Sequence, residues 1–316
     1  MEKQNKFVKD MTKGNPMQLL IQFSLPLLVG NIFQQLYNMV DSIIVGNFVG
    51  ANALGAIGTT NSLNFFFFSL VAGLSVGIGI IVAQYFGFGD EEKVKDAIGN
   101  SIWIITICSV IMAIIGFVTA RPILVLLDTD PVILNDAVAY LKVVSIGIVC
   151  VGFYNGVSGI LRALGDSKTP LIFLIVASVL NVILDLIFVL SFGWGVVGAG
   201  VATAFSQLIS ALACIIYAYK SNTYFKLKKK NIKLNGNIIK KSCKLGIPVA
   251  LQNSLIAFSL IVLQKVVNGY GATFTTAFTV VSRIETLVQQ FQHTQGRILA
   301  PGLKTELEKD LILQHW

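Results

Sequence analysis

Aspartates inside apolar sequence are the residues of this chain best suited to chemistry. Asp41 lies near the end of the first long apolar stretch, and Asp185 lies near the end of the fifth, four residues after Asn181. Residues four apart share one face of a helix, and ionisable side chains in membrane helices by default mark functional sites. With Thr203 in the sixth stretch, they predict a site for a proton or a small cation. The alternative is that each side chain forms a separate hydrogen bond between helices.

A second group of polar residues lies in the first, second and fourth apolar stretches. Amide and tyrosine side chains at this density indicate a water-filled cavity that takes a substrate. Hydrogen bonds that hold helices together would use the same residue types, so that alternative stays open. The predicted cavity residues are Gln34, Tyr37, Asn38, Asn61, Asn64, Tyr140 and Asn155.

Other kinds of chemistry have little support in the sequence. The four cysteines form no CxxC pair, and the two histidines, His293 and His315, lie in the C-terminal tail, so no zinc site or disulfide framework is expected. The segment GWGVVG at 193–198 matches a dinucleotide-binding pattern, but no acidic residue follows about 20 positions later. No P-loop, nucleophile elbow or HExxH is present. We therefore expect no enzyme, no cofactor and no metal other than Na⁺ at the cation site.

The elements that position these residues are predicted to be membrane helices. The chain is 54% hydrophobic and only 13% charged, whereas a soluble domain has roughly 25% charged residues. A helix needs about 20 apolar residues to cross the hydrocarbon core, and the apolar stretches lack the alternation of β-barrel strands. We expect an all-α polytopic membrane protein with spans near 19–46, 53–83, 97–119, 134–163, 169–192, 196–219, 243–268 and 272–290.

The distribution of Lys and Arg predicts the orientation. The N-terminal tail, alternate loops and above all the loop between the sixth and seventh stretches are basic. By the positive-inside rule, the N-terminus is cytoplasmic in a multi-pass protein of the plasma membrane. The net charge of +8 is then a topology signal, and we expect no nucleic-acid partner. Contact with anionic lipid head groups is expected at Lys226, Lys228, Lys229 and Lys230.

An internal repeat predicts two lobes. The segment FSLPLLVGNIFQQLYNMVDSIIVG aligns with LGIPVALQNSLIAFSLIVLQKVVNG, so that Pro26 meets Pro248 and Asn31 meets Asn253. A slip of one residue aligns the turns NFVGAN and NGYGAT. Six predicted spans separate the copies, which gives both the same orientation. Two six-helix bundles related by an axis along the membrane normal, a transporter architecture, are therefore expected.

The repeat and the hydropathy together divide the chain into segments. After Thr286 the second copy loses its apolar character, so a C-terminally truncated second lobe is expected. The predicted segments are a cytoplasmic tail at 1–16, a complete six-helix first lobe at 17–219, a basic cytoplasmic linker at 220–242, helix 7 and part of helix 8 at 243–290, and a polar tail at 291–316. The pair Gly73-x-x-x-Gly77 is interpreted as close helix packing.

Several motifs resemble those of a known transporter family. The start PMQLLIQFSLPLLVGNIFQQLYNMVDSIIVGNFVG, AQYFGFGD, LRALGDSKTP, and NVILDLIF with GVVGAGVATAFSQ are similar to the multidrug and toxic compound extrusion (MATE) family over roughly residues 10–288. The resemblance implies twelve helices in two lobes and export of amphipathic, often cationic, aromatic compounds in exchange for protons or sodium ions. It also implies a first-lobe cation site and cavity-lining positions, which match Asp41, Asn181, Asp185 and Thr203, and Tyr140 and Asn155. Of the twelve helices that the resemblance implies, we expect the last four and most of the eighth to be absent from this sequence.

Three hypotheses about function follow. In the first, the chain is a cation-coupled antiporter, in which a proton or Na⁺ neutralises Asp41 and Asp185 and the helices repack to release a drug outward. In the second, the polypeptide is a non-transporting membrane fragment of a truncated or frameshifted gene. The third, a lipid or polysaccharide flippase of related architecture, is disfavoured by the acids at the cation-site positions. Carboxylates, an amide and a hydroxyl suit H⁺ and Na⁺ alike, so both coupling ions stay open.

Overall fold

The described part of the chain is a bundle of long helices. The structure, a computed structural model, describes the backbone of residues 16–286 and the side chains of residues 25, 26 and 29–286. Residues 1–15 of the predicted N-terminal tail, the predicted tail at 291–316, both histidines and residues 287–290 of the last predicted span lie outside the described residues.

The helices follow the predicted spans and confirm the all-α fold class. No strand occurs among residues 16–286, and within them six helices, α2 to α7, are long and apolar enough to cross a membrane. A π-helix at Leu186–Ser191 continues α5, and a short 3₁₀ turn, Thr223–Phe225, follows α6. The α-helices are α1 (Pro16–Phe48), α2 (Ala51–Gly87), α3 (Glu91–Leu126), α4 (Pro131–Ala163), α5 (Lys168–Asp185), α6 (Gly195–Ser221), α7 (Gly236–Asn268) and α8 (272–286).

Side-chain caps set several helix starts. Asp90 accepts a hydrogen bond from the backbone N–H of Lys93 at 3.1 Å at the start of α3. Asp130 accepts one from the N–H of Val132 at 2.9 Å in the first turn of α4, and a second from the N–H of Ala272 at 2.9 Å in the first turn of α8. Such caps satisfy N–H groups that have no partner within the helix. One carboxylate, that of Asp130, thus caps two helices at the same end of the bundle.

The segment predicted as a linker packs tightly on α3. Asn231 donates a hydrogen bond to Asp96 at 2.7 Å, and the indole N–H of Trp103 donates to the carbonyl of Ile232 at 2.8 Å. Helix α7 begins at Gly236, inside the predicted linker at 220–242, because Asn235 caps its first turn and Ile238 is buried in the core. Hydropathy does not predict this helix start, because the residues around it are polar and basic.

Small residues let α7 lie directly against α2. A Cβ built on Gly73 would stand 2.5 Å from the Cβ of Ala250, and one built on Gly77 would stand 2.6 Å from the backbone N of Gly246. These distances are far shorter than ordinary van der Waals contact, so only glycine fits. The interpretation of Gly73-x-x-x-Gly77 as a packing motif is confirmed.

The contacts of α8 with α2 join residues that the internal repeat makes equivalent. Gly55 faces Thr276, and Gly58 faces Thr279, pairs that match when the two glycine-bearing turns are aligned. Farther along the helices, Asn61 and Arg283 form a hydrogen bond across 222 residues of sequence, the separation of Pro26 and Pro248. Parallel helices that touch at equivalent positions lie on either side of a two-fold axis along their length. This contact supports the repeat and its axis along the membrane normal.

Enlarging Gly73 is expected to separate α7 from α2. The hydroxyl oxygens of Ser69 and Ser254 lie 3.0 Å apart on the same contact, so Ser69→Cys and Ser254→Cys should form a disulfide on mild oxidation, in a background with the four native cysteines changed to alanine. Adding Gly73→Leu should abolish the cross-link, because overpacking a tight contact costs roughly 1–3 kcal/mol. The yield is measured by gel mobility.

Gly87→Leu is the matched control on the same helix. Nothing lies within 4 Å of a Cβ built on Gly87, so the cross-linking yield should be unchanged. Equal yields with Gly73→Leu and without it would contradict the packing described here.

Candidate cation site and adjoining cavity

Three helices bring the four predicted cation-site residues together. Asp41 of α1 and Asp185 at the end of α5 are 6% and 0% exposed, and their carboxyl groups interact with each other. Asn181 lies one turn before Asp185, and its amide nitrogen is 3.4 Å from the hydroxyl of Thr203 on α6. The side chains therefore form one cluster, as the spacing predicts. That the cluster binds a cation stays a prediction.

The oxygens of this cluster lack hydrogen-bond donors. Oδ1 of Asp41, Oδ1 of Asn181 and both carboxylate oxygens of Asp185 are buried, and within the described part of the chain none accepts a hydrogen bond. Leaving an ionised carboxylate buried and unpaired costs several kcal/mol. A proton would turn one carboxyl into a donor to the other, and Na⁺ would accept these oxygens as ligands. The arrangement is therefore chemically suited to a small cation.

A change of helix type fixes the position of Asp185. Helix α5 becomes a π-helix at the next residue, and π-segments inside helices occur frequently at functional sites. The π-segment packs on the start of α6, where the rings of Phe188 and Trp194 stack at 5.3 Å and the N–H of Trp194 donates to the carbonyl of Phe188 at 3.0 Å. These contacts hold the end of α5 against α6, and Asp185 with it.

An arginine from α8 reaches the same cluster. The Nη2 atom of Arg283 donates to Oδ1 of Asn61 at 3.4 Å, and its guanidinium also interacts electrostatically with Asp41. Its Nε is buried without a hydrogen-bond partner among the described residues. Arg283 is not among the site residues predicted from the sequence, although a cation inside an apolar helix is as unusual as an acid. The internal repeat also pairs Arg283 with Asn61, a predicted cavity residue, and this pairing could have indicated its role.

The predicted cavity residues do not all line one space. A cavity of about 320 Å³ lies between α1, α4, α5 and α6, and Gln34 and Asn155 line it. The other five residues do not line this cavity. Tyr37 lies close to Gln34 and also, with Tyr140, near Asp41, while Asn61 on α2 faces Arg283. Asn64 has a buried amide oxygen without a partner among the described residues. The backbone carbonyl of Asn38 accepts a hydrogen bond from the hydroxyl of Ser42 at 2.8 Å.

Proteins with similar sequences are transporters. The family model MatE matches residues 26–187. The chain is 33% identical to "Probable multidrug resistance protein YpnP" of Bacillus subtilis (strain 168), over 88% of this chain and 62% of that protein. It is 26% identical to "Multidrug export protein MepA" of Staphylococcus aureus (strain bovine RF122 / ET3-1), over 87% of this chain and 62% of that protein. The chain thus spans about three-fifths of the length of these relatives.

Solved structures share the fold. The MATE multidrug transporter DinF-BH, solved as a complex, matches with a TM-score of 0.85 and 25% identity, covering 95% of this chain and 67% of that one. "Inward-facing conformation of a multidrug resistance MATE family transporter of the MOP superfamily" matches with a TM-score of 0.77 and 25% identity, covering 86% of this chain and 64% of that one.

Asp41 and Arg283 are expected to be energetically coupled. Arg283→Gln removes the positive charge that interacts with the buried carboxylate of Asp41. In an Asp41→Asn background that carboxylate is absent, so the same change should lower the free energy of unfolding by less. The double-mutant cycle should therefore show a coupling of about 1 kcal/mol, since the charges of Asp41 and Arg283 interact electrostatically and coupled residues are non-additive. Free energies of unfolding are measured by SDS titration in mixed micelles.

Lys265 supplies the control for this cycle. It pairs with Asp128 at 3.2 Å, and both side chains are about half exposed, so the pair is a surface ion pair of little energetic weight. Lys265→Gln and Asp41→Asn should be additive within about 0.5 kcal/mol. The same additivity for Arg283→Gln would show that Arg283 does not compensate Asp41.

Proposed function

This chain belongs to the MatE family of transporters, and on that premise we propose that it exports amphipathic, often cationic, aromatic compounds from the cell in exchange for protons or sodium ions. The observation that carries the proposal is the cluster of buried oxygens without donors at Asp41, Asn181 and Asp185. Relatives named for multidrug resistance and multidrug export support the export of drugs in general. The coupling ion is the only small group that the proposal requires, and no cofactor takes part.

The charges of the site suggest how an ion would drive transport. Without a bound ion, the guanidinium of Arg283 on α8 interacts electrostatically with Asp41 on α1 and so favours the approach of α8 to α1. A proton or Na⁺ shared by Asp41 and Asp185 halves the negative charge of the carboxylate pair and so weakens its attraction for Arg283. The contact between α8 and the first-lobe helices then weakens, and the lobes move to the alternate arrangement, as alternating access requires. The ion shifts the equilibrium by its different affinity for the two arrangements.

The orientation belongs to the same proposal. The protein is a multi-pass membrane protein, and its most basic loop joins α6 to α7. The N-terminus and this loop face the cytoplasm of a plasma membrane if the positive-inside rule holds. Lys226, Lys228, Lys229 and Lys230 are exposed on this loop, where anionic head groups would reach them, and Lys230 also pairs with Glu92 at 2.6 Å.

Efflux of ethidium tests the proposed transport. Cells that express the chain should accumulate less ethidium than cells with an empty vector, and Asp41→Asn or Asp185→Asn should restore the accumulation of the vector control. Each substitution removes a charge that the ion must neutralise. Immunoblots of the membrane fraction check that the variants insert.

Asp136→Asn is the matched control, because Asp136 is an exposed acid on α4. It should leave efflux unchanged. Wild-type efflux by Asp41→Asn would refute the site assignment. Accumulation equal to that of the vector would refute transport by this chain and support the non-transporting fragment.

Fusions to alkaline phosphatase test the orientation. The enzyme is active only outside the cytoplasm, so a fusion after residue 128 should be active and one after residue 230 inactive. Fusions to green fluorescent protein at the same positions should give the opposite pattern. An active phosphatase after residue 230 would reverse the proposed topology.

A further inference from the structure

The cavity next to the predicted cation site is lined by an arginine side chain that has no part in the proposed ion coupling. Arg162 lies in the last turn of α4 and lines the cavity together with Gln34, Asn155 and Gln207. The remaining lining is largely apolar and includes Leu171 and Leu174. The volume, about 320 Å³, falls within the range of small-molecule sites, which is roughly 300–1,000 Å³.

No anion within the described part of the chain compensates Arg162. None of the described residues forms a hydrogen bond or an ion pair with its side chain, and its electrostatic neighbours, Tyr154 and Cys214, are neutral groups. The nearest acid in sequence, Asp166, is engaged elsewhere: its two oxygens accept from the backbone N–H of Thr169 at 3.0 Å and from its hydroxyl at 2.6 Å. A partly buried guanidinium therefore faces the cavity without a counter-charge.

The amide side chain of Gln207, which lies close to Tyr37, also lines the cavity. Gln207 of α6 is only 6% exposed, and its Oε1 is buried without a hydrogen-bond partner in the described part of the chain. The cavity thus offers a cation at its α4–α5 end, the amide side chains of Gln34, Asn155 and Gln207, and an apolar wall. A ligand that satisfies all three has an anionic group, a polar N–H or O–H and an apolar body.

Helix-end electrostatics alone do not account for this arrangement. A basic residue in the last turn of a helix interacts favourably with the helix dipole, and the positive-inside rule favours one at a cytoplasmic end. An exposed lysine satisfies the positive-inside rule equally well, as Lys168 does at the first residue of α5. Arg162 instead turns its side chain into the cavity, next to Gly159, whose missing side chain leaves the space open.

We propose that the first-lobe cavity binds amphiphiles that carry an anionic group, a carboxylate or a sulfonate, with Arg162 as the counter-ion. The guanidinium fork matches a carboxylate with two parallel hydrogen bonds. Zwitterionic compounds meet the requirement as well as anions do, whereas a purely cationic compound is repelled at this end. Export of such compounds rests on the proposed function, but their binding does not.

Two probes that differ only in charge test the inference. The chain is reconstituted in phosphatidylcholine nanodiscs, and binding of dansylglycine, a carboxylate, is compared with that of its neutral amide by dansyl fluorescence. The carboxylate should bind at least about tenfold more tightly, which corresponds to about 1.4 kcal/mol. Arg162→Gln should remove this preference and change the affinity for the amide less than about twofold, while Arg162→Lys should keep part of it.

Two further variants locate the site and control for general charge. Lys168→Gln removes an exposed cation near Arg162 and should leave the preference intact. Leu174→Trp fills the cavity and should weaken both probes equally. Circular dichroism verifies that each variant is folded.

The outcomes separate this inference from the proposed function. Equal affinity for the two probes, an intact preference in Arg162→Gln, or no binding of either probe overturns the anion subsite. An unaltered affinity in Leu174→Trp overturns its location. A preference that depends on Arg162 in a chain that shows no ethidium efflux supports the subsite and refutes only the transport.

Discussion

Compensation of charge in an apolar bundle is the constraint on which this structure depends. Asp41 and Asp185 are buried, and Oδ1 of Asp41 and both carboxylate oxygens of Asp185 accept no hydrogen bond from the described residues. Such groups persist only if something outside the hydrogen-bond network balances them. The guanidinium of Arg283 compensates part of this negative charge. A small cation bound between the carboxyl groups would compensate more of it. Two sources of positive charge that compete for one pair of carboxylates are the physical basis of a coupled carrier.

Close packing by small residues makes that competition geometrically feasible. Glycines along α2 let α7 approach at Gly73 and Gly77, and let α8 approach at Gly55 and Gly58. Bulky side chains at these positions would hold α8 away from the first lobe, and the arginine would no longer reach Asp41. Because the α2–α8 contact joins repeat-equivalent positions, it lies at the symmetry axis. A small rotation about that axis changes this contact less than any contact farther away.

The elements of the fold were predictable from sequence because hydropathy over about twenty residues is a strong signal. The convergence of Asp41, Asn181, Asp185 and Thr203 was predictable as well, since helix spacing and depth along each span restrict where side chains can meet. The start of α7 at Gly236 was not, because it depends on the cap from Asn235 and on packing against α3. The positions of Arg162 and Arg283 also depend on tertiary contacts. In the sequence, Arg162 lies at the end of a predicted span, where it counts toward the positive-inside rule. Arg283 interrupts the apolar stretch at 272–290.

The double cap at Asp130 has a mechanical consequence. Its carboxylate accepts from the first turn of α4 in one lobe and from the first turn of α8, the second helix of the second repeat. Helices joined by a short, charge-assisted link cannot slide past each other there, although they can tilt about it. Asp130 therefore acts as a pivot, and any separation of α8 from the first lobe grows with distance from it. Arg283, about three turns farther along α8, is carried by that lever arm, so a slight tilt at the pivot displaces its guanidinium several times as far.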